Sequence, residues 1–200
     1  MRKQQCEVFD NGVTELIDLL SKVKSRCREE LLQISAQIYA TFAGGNKVLV
    51  CGNGGSAADS QHIAGEFLGS FGLGLKRPSL PVIALTVDTS TITAIANDFS
   101  YDLVFSRQIE GLGKSGDSLL VISTSGQSTN CLEAVKAARK KNMKVLSLTC
   151  WGSDLYQKSD YALGIPSTDT QRIQECHVFA YHIITEIVES NYFSQNKGSK

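Results

Sequence analysis

The sequence predicts an α/β fold: a three-layer sandwich around a five-stranded parallel sheet of the flavodoxin-like or Rossmann-like kind, with an N-terminal helical hairpin. Three observations lead there. Five short runs rich in Val, Ile and Leu, with few polar gaps, have the character of strands buried on both faces. Between them lie stretches whose apolar residues recur at three- and four-residue steps, the helical period. The 200 residues, 42% hydrophobic and 20% charged, suit one domain with a sizeable core and exclude disordered and fibrous classes.

The first helical stripe covers residues 13–42, on Leu16, Leu20, Val23, Cys27, Leu31, Ile34, Ile38 and Phe42, and Gly44-Gly45 ends it, so residues 1–43 are assigned to N-terminal helices. Strands are expected at 47–51, 81–86, 118–123, 144–149 and 161–165. Helices are expected at 56–69, at 90–97 with 101–112, at 128–142 and at 170–192. The fourth of these opens on Ser128 as an N-cap and closes on Arg139-Lys140-Lys141, cations suited to the negative end of the helix dipole. Residues 194–200 read as a disordered tail, and no linker or repeat divides the chain, so a single domain over 1–200 is expected.

Lys plus Arg and Asp plus Glu are equal at 20 each, without the basic surplus of a protein that lives on a phosphate backbone, so no direct nucleic-acid partner is expected. No apolar run approaches the ~20 residues that span a bilayer, so no membrane is expected either. The first residues carry a basic pair with no apolar stretch behind it, unlike a secretory leader. Six cysteines without CxxC spacing then point, for most of them, to small core residues in a reducing cytoplasm.

Two loops are built for oxyanions. Gly52-Asn53-Gly54-Gly55 follows a strand and opens a helix, so backbone N–H groups turn toward an anion at the positive helix end. Ser123-Thr124-Ser125-Gly126-Gln127-Ser128 does the same with hydroxyls, as the several oxygens of a phosphate monoester require. Both fall at carboxyl ends of parallel strands, where open α/β sheets bind ligands. The first loop also fits the G-x-G-x-x-G/A dinucleotide pattern. The acid expected ~20 residues further on is missing, however, since the first acid in the second strand region is Asp88. No GKS or GKT occurs, which excludes Walker-type nucleotide binding.

Downstream of the first loop, His62 and Glu66 are four apart and share one helix face, able to reach one metal or one substrate. On the last helix Gln174 and His182 are separated by about 80° around the axis and His177 by about 60° on the other flank, so periodicity does not choose between the two histidines.

These residues resemble the sugar-isomerase (SIS) domain family, and closely its phosphoheptose isomerase branch. The likeness runs from the helical prefix to about Tyr192. It rests on Cys-Gly-Asn-Gly-Gly-Ser at 51–56, Asn97-Asp98-Phe99, Ile-Ser-Thr-Ser-Gly at 122–126 with Ser128, and Arg-Ile-Gln-Glu-Cys-His at 172–177. The resemblance implies a homotetramer, with sites at subunit contacts, that converts D-sedoheptulose 7-phosphate to D-glycero-D-manno-heptose 7-phosphate. It implies zinc held by His62, Glu66, Gln174 and His182, and a substrate lined by Asn53, Gly54, Gly55, Glu66, Asn97, Asp98, Ser123, Thr124, Ser125, Ser128 and Gln174. Glu66 would be the base and His182 its acid/base partner, while His177 matches a position that is not a ligand. Some members carry an acid where this chain has Gln171.

Three other functions are weighed beside it. A sister branch binds the bacterial replication initiator and shares Ser-Ala-Ala at 56–58, Gln61-His62, Pro-Ser-Leu-Pro at 78–81 and Thr-Ala-Ile-Ala-Asn-Asp at 93–98, which are loop and packing positions. A sugar-phosphate sensor would keep the serine loop and be indifferent to Glu66. A dehydrogenase would need the missing ribose acid. The pairing of Glu66 with His182 favours the isomerase.

Overall fold

The computed structural model describes residues 2–72 and 77–196, the last four of these without their side chains. Helix α1 (Arg2–Arg26) is followed by α2 (Arg28–Ala43), β1 (Val48–Gly52), α3 (Gly55–Leu68), β2 (Val82–Ala84) and α4 (Thr89–Asp98). After a single 3-10 turn at Tyr101–Leu103 come α5 (Ser106–Leu112), β3 (Ser118–Ser123), α6 (Thr129–Lys140), β4 (Lys144–Cys150), α7 (Asp154–Lys158), β5 (Tyr161–Ile165) and α8 (Thr170–Asn196).

All strand pairings are parallel, in the order β2-β1-β3-β4-β5. Alternate residues feed two separate cores, because successive strand side chains point to opposite faces. Val48, Val50, Leu120, Ile122, Leu146, Leu148, Leu163 and Ile165 pack under α1, α2, α3 and α8. Leu49, Cys51, Leu119, Val121 and Val145 pack under α5, α6 and α7, with Ile92 and Ile95 of α4 at the margin. Strand order reverses at β1, so the carboxyl ends of β1 and β3 form the switch point where doubly wound sheets open a crevice. The register pairs Gly52 with Ile122, which brings the two expected anion loops side by side.

Four boundaries depart from the sequence expectation. The N-terminal helices are joined at Cys27 by a one-residue bend and not by a loop. Cys27 N–H still donates to Val23 O and Cys27 O still accepts from Leu31 N, at 2.9 and 3.0 Å. The second strand is only Val82–Ala84, an edge strand with one neighbour. The short α7, capped by Ser153 accepting from Tyr156 N–H, has too few residues to show a periodic stripe. The last helix runs on to Asn196, so 194–196 are helical where a disordered tail was expected, and 197–200 lie outside the described residues.

Candidate active site

Helices α3 and α8 lie against each other on one face of the sheet. Both begin at its carboxyl edge and run back across it, which brings His62 and Glu66 of α3 alongside His182 of α8. His62 Nε2 is 3.0 Å from Glu66 Oε1 and 3.4 Å from His182 Nε2. Among the described residues these three form a group whose ligand atoms all lie within 4.8 Å of one another. The trio is reachable from solvent, the His62 side chain being 46% and that of Glu66 23% exposed. The ambiguity between the two histidines of α8 is resolved by burial. His177 is fully buried under β4, its Nε2 facing Thr149 O at 3.4 Å and its Nδ1 without a partner, and burial holds it down at about 4. It is a neutral core histidine.

Behind the trio stand residues that spacing alone did not single out. The Tyr181 hydroxyl is 2.9 Å from His62 Nδ1, and its ring packs edge-on against both His62 and His182. Burial first, then the carboxylates of Asp59 and Glu66, push the Tyr181 phenol far above its ordinary value, so it stays protonated. Asp59, three residues before His62 and on the same side of α3, is buried and its carboxyl is raised by that burial. One of its oxygens, Oδ2, has no partner.

Gln174 stands on α8 eight residues, about two turns, before His182. Its amide lies against Gly55, where an added Cβ would fall 2.7 Å from its Cδ and Oε1. Gly55 therefore makes room for Gln174 at the start of α3, ~10 Å along that helix from His62 at 1.5 Å rise per residue. Asn53 is held by a reciprocal amide pair with Asn130, both bonds 2.9 Å, and accepts from the Tyr101 hydroxyl at 3.1 Å. Asn97 and Asp98 end α4 on the exposed surface, bonded to each other at 2.8 Å.

The serine loop is shaped as an anion cradle. Gly126 takes a φ of +62°, and a Cβ there would collide with the Ser153 side chain, so only glycine fits. Its N–H donates to Ser123 Oγ at 3.1 Å. Ser128 stands at the N-cap of α6 without using its hydroxyl on the helix; that hydroxyl instead meets Ser123 Oγ at 3.4 Å, beside the first N–H groups of α6 that can face a ligand. Ser125 is exposed, while Thr124 and Ser128 are half-buried.

A family model described as the SIS domain matches residues 13–150. The phosphoheptose isomerase of Synechocystis sp. is 49% identical over 159 residues, 79% of this chain and 81% of its own. That of Shewanella pealeana is 42% identical over 197 residues, 96% of this chain and 98% of its own. The chain belongs to the SIS domain family, in its phosphoheptose isomerase branch. Solved structures agree. Phosphoheptose isomerase from Neisseria gonorrhoeae matches this SIS domain with a TM-score of 0.87 at 37% identity, over 93% of this chain and 99% of that one. The enzyme from Francisella tularensis matches at 0.89 and 34%, over 93% and 98%.

Proposed function

We propose that this SIS domain interconverts D-sedoheptulose 7-phosphate and D-glycero-D-manno-heptose 7-phosphate. The observation that carries the reading is the convergence of His62, Glu66 and His182 below two anion loops on adjacent strands. Ketose–aldose interchange needs a base for the carbon-bound proton, an acid/base group for the hydroxyl protons, and donors that hold the oxyanion. Glu66 takes the proton from C1 and returns it to C2, while His182 passes a proton between the two oxygens of the enediolate. Ser123, Thr124, Ser125 and Ser128 with the N-terminus of α6 hold the phosphate. Asn53 and the backbone of Gly54 and Gly55 line the sugar with Gln174, and Asn97 and Asp98 at the end of α4 complete the rim.

Two imidazoles and a carboxylate that converge within one metal's reach suit zinc. His62, Glu66 and His182 would hold it, with Gln174, on the same helix as His182, for the fourth ligand. When bound, zinc supplies positive charge to an oxyanion and polarises a carbonyl. Metal binding through Nε2 would require His62 to carry its proton on Nδ1, where the Tyr181 hydroxyl at 2.9 Å would accept it.

The proposed assembly is a homotetramer. A groove of about 640 Å³ is lined by Ile17, Leu20, Leu31, Phe179, Ile183 and Ile187. It continues onto the exposed Val8, Phe9 and Val13 of α1, an apolar stripe that a second copy would cover. No helix of the described residues is long and apolar enough to cross a membrane. All six cysteines are free, which fits the proposed cytoplasmic location.

The test is aldose formation from sedoheptulose 7-phosphate by the purified protein, with and without added zinc, beside Glu66→Gln. Turnover that falls by at least about a hundredfold in the variant is expected. Absence of turnover in the zinc-supplemented wild-type protein overturns the reading.

A further inference from the structure

Glu66 sits in the last turn of α3, so its own carbonyl is one of the four that a helix end leaves without an intrahelical partner. Each of the four is answered. Gly69 N–H donates to Gly65 O at 2.8 Å, and Ser79 Oγ to Leu68 O at 2.9 Å. Arg77 serves the two between them, through Nη2 to Glu66 O and Nη1 to Phe67 O, both at 2.7 Å, with Leu80 N–H also on Phe67 O. The Arg77 side chain is fully buried, and its Nε is ion-paired to Glu189 Oε1, which also accepts from Phe71 N–H at 3.1 Å. Glu189 follows His182 by seven residues, two turns down the same side of α8. A single guanidinium therefore ties the backbone of Glu66 to the helix that carries His182.

We infer that Arg77, anchored by Glu189, is a positioning residue that holds Glu66 in register with His182. The inference rests on reading Glu66 and His182 as the reacting pair. Stability alone does not explain the arrangement, because desolvation offsets most of what a buried ion pair contributes and an apolar pair could fill the same space. What an apolar pair cannot do is bond two carbonyls and a carboxylate at once. That needs the planar, five-donor fork of arginine. Without it the last turn of α3 is free to fray, and displacement of a reacting group by about 1 Å can cost as much as a hundredfold in rate.

Two variants test this on the full chain. In Arg77→Met/Glu189→Met, apolar side chains of similar reach replace the ion pair, and circular dichroism checks that the fold is retained. There kcat falls between about tenfold and a hundredfold while KM stays within about threefold. Arg77→Lys keeps the charge opposite Glu189, but one ammonium cannot serve both carbonyls, and kcat again falls with KM held. Either variant, folded and with wild-type kcat, overturns the inference. Amide hydrogen exchange gives a reading that needs no substrate. Faster exchange at residues 66–69, with the first two turns of α3 unchanged, is expected in both variants, and unchanged exchange there overturns the lock. A wild-type protein that fails to turn over sedoheptulose 7-phosphate counts against the isomerase reading alone, while the exchange data still decide whether Arg77 holds this turn.

Discussion

At the scale of single residues, the site depends on how His62 is held between two helices. The Tyr181 hydroxyl meets Nδ1 at 2.9 Å, and burial first, then the Asp59 carboxylate, keeps the phenol protonated. Nε2 faces Glu66 and His182. Removing only that hydroxyl, in Tyr181→Phe, leaves the ring packing against both histidines intact. Zinc affinity is expected to fall by about tenfold to a hundredfold, the usual cost of losing such an outer partner. Competition with a chromophoric chelator measures it, and an unchanged affinity would show that Tyr181 only packs. Spacing puts Asp59 on the His62 face of α3 and Tyr181 next to His182, but many residues stand beside a histidine. Only the approach of α3 to α8 shows that they work together.

At the scale of elements, α8 carries two histidines in opposite states. His182 faces the trio, while His177 turns into the core under β4. In the folded chain burial lowers His177 to about 4, against 6.5 in the open chain. Protonation therefore favours unfolding. The contribution is complete above pH 6.5 and is lost as pH falls toward about 4, amounting to about 3 kcal/mol over that window. Urea unfolding at several pH values should show this loss, and His177→Gln should flatten the slope between pH 6.5 and 4. An equal slope in the variant would assign the loss to other groups. The stripe of α8 was legible in the sequence, but its two histidines were not separable by angle, because both lie within a quarter turn of Gln174. Contact with β4 separates them. In the same way, residues 77–80 read as a connection between a helix and a strand, yet they close the end of α3 at Glu66, Phe67 and Leu68.

At the scale of the whole molecule, the anion loops and the trio occupy different levels of one face. Gln174 and Gly55 lie near the carboxyl edge of the sheet, and His62 is ~10 Å further down α3. An extended sugar phosphate can bridge such levels, which suits a seven-carbon substrate. The apolar surface of α1 and the groove beside it remain uncovered in a single chain. If the proposed tetramer closes over this groove, Ile17→Glu combined with Phe179→Glu dissociates it, seen as slower sedimentation, and lowers kcat together with it. Full activity in the dissociated species would show that each chain holds a complete site.

By itself the sequence determined the layer order of the domain, the two anion loops and the pairing of His62 with Glu66. Each of these is local: a strand's apolar run, a glycine where the chain must turn, an i,i+4 step on one helix face. The family motif already favoured His182 over His177, but tertiary structure alone brought His182 to His62 and Glu66 and packed the Gln174 amide on Gly55. It also decided that Tyr181 stands behind His62 and that Arg77 reaches back to Glu66. Those contacts join residues 11 to 120 positions apart. Their partners are set by how α8 crosses α3 and by burial, and no periodicity within one helix encodes either.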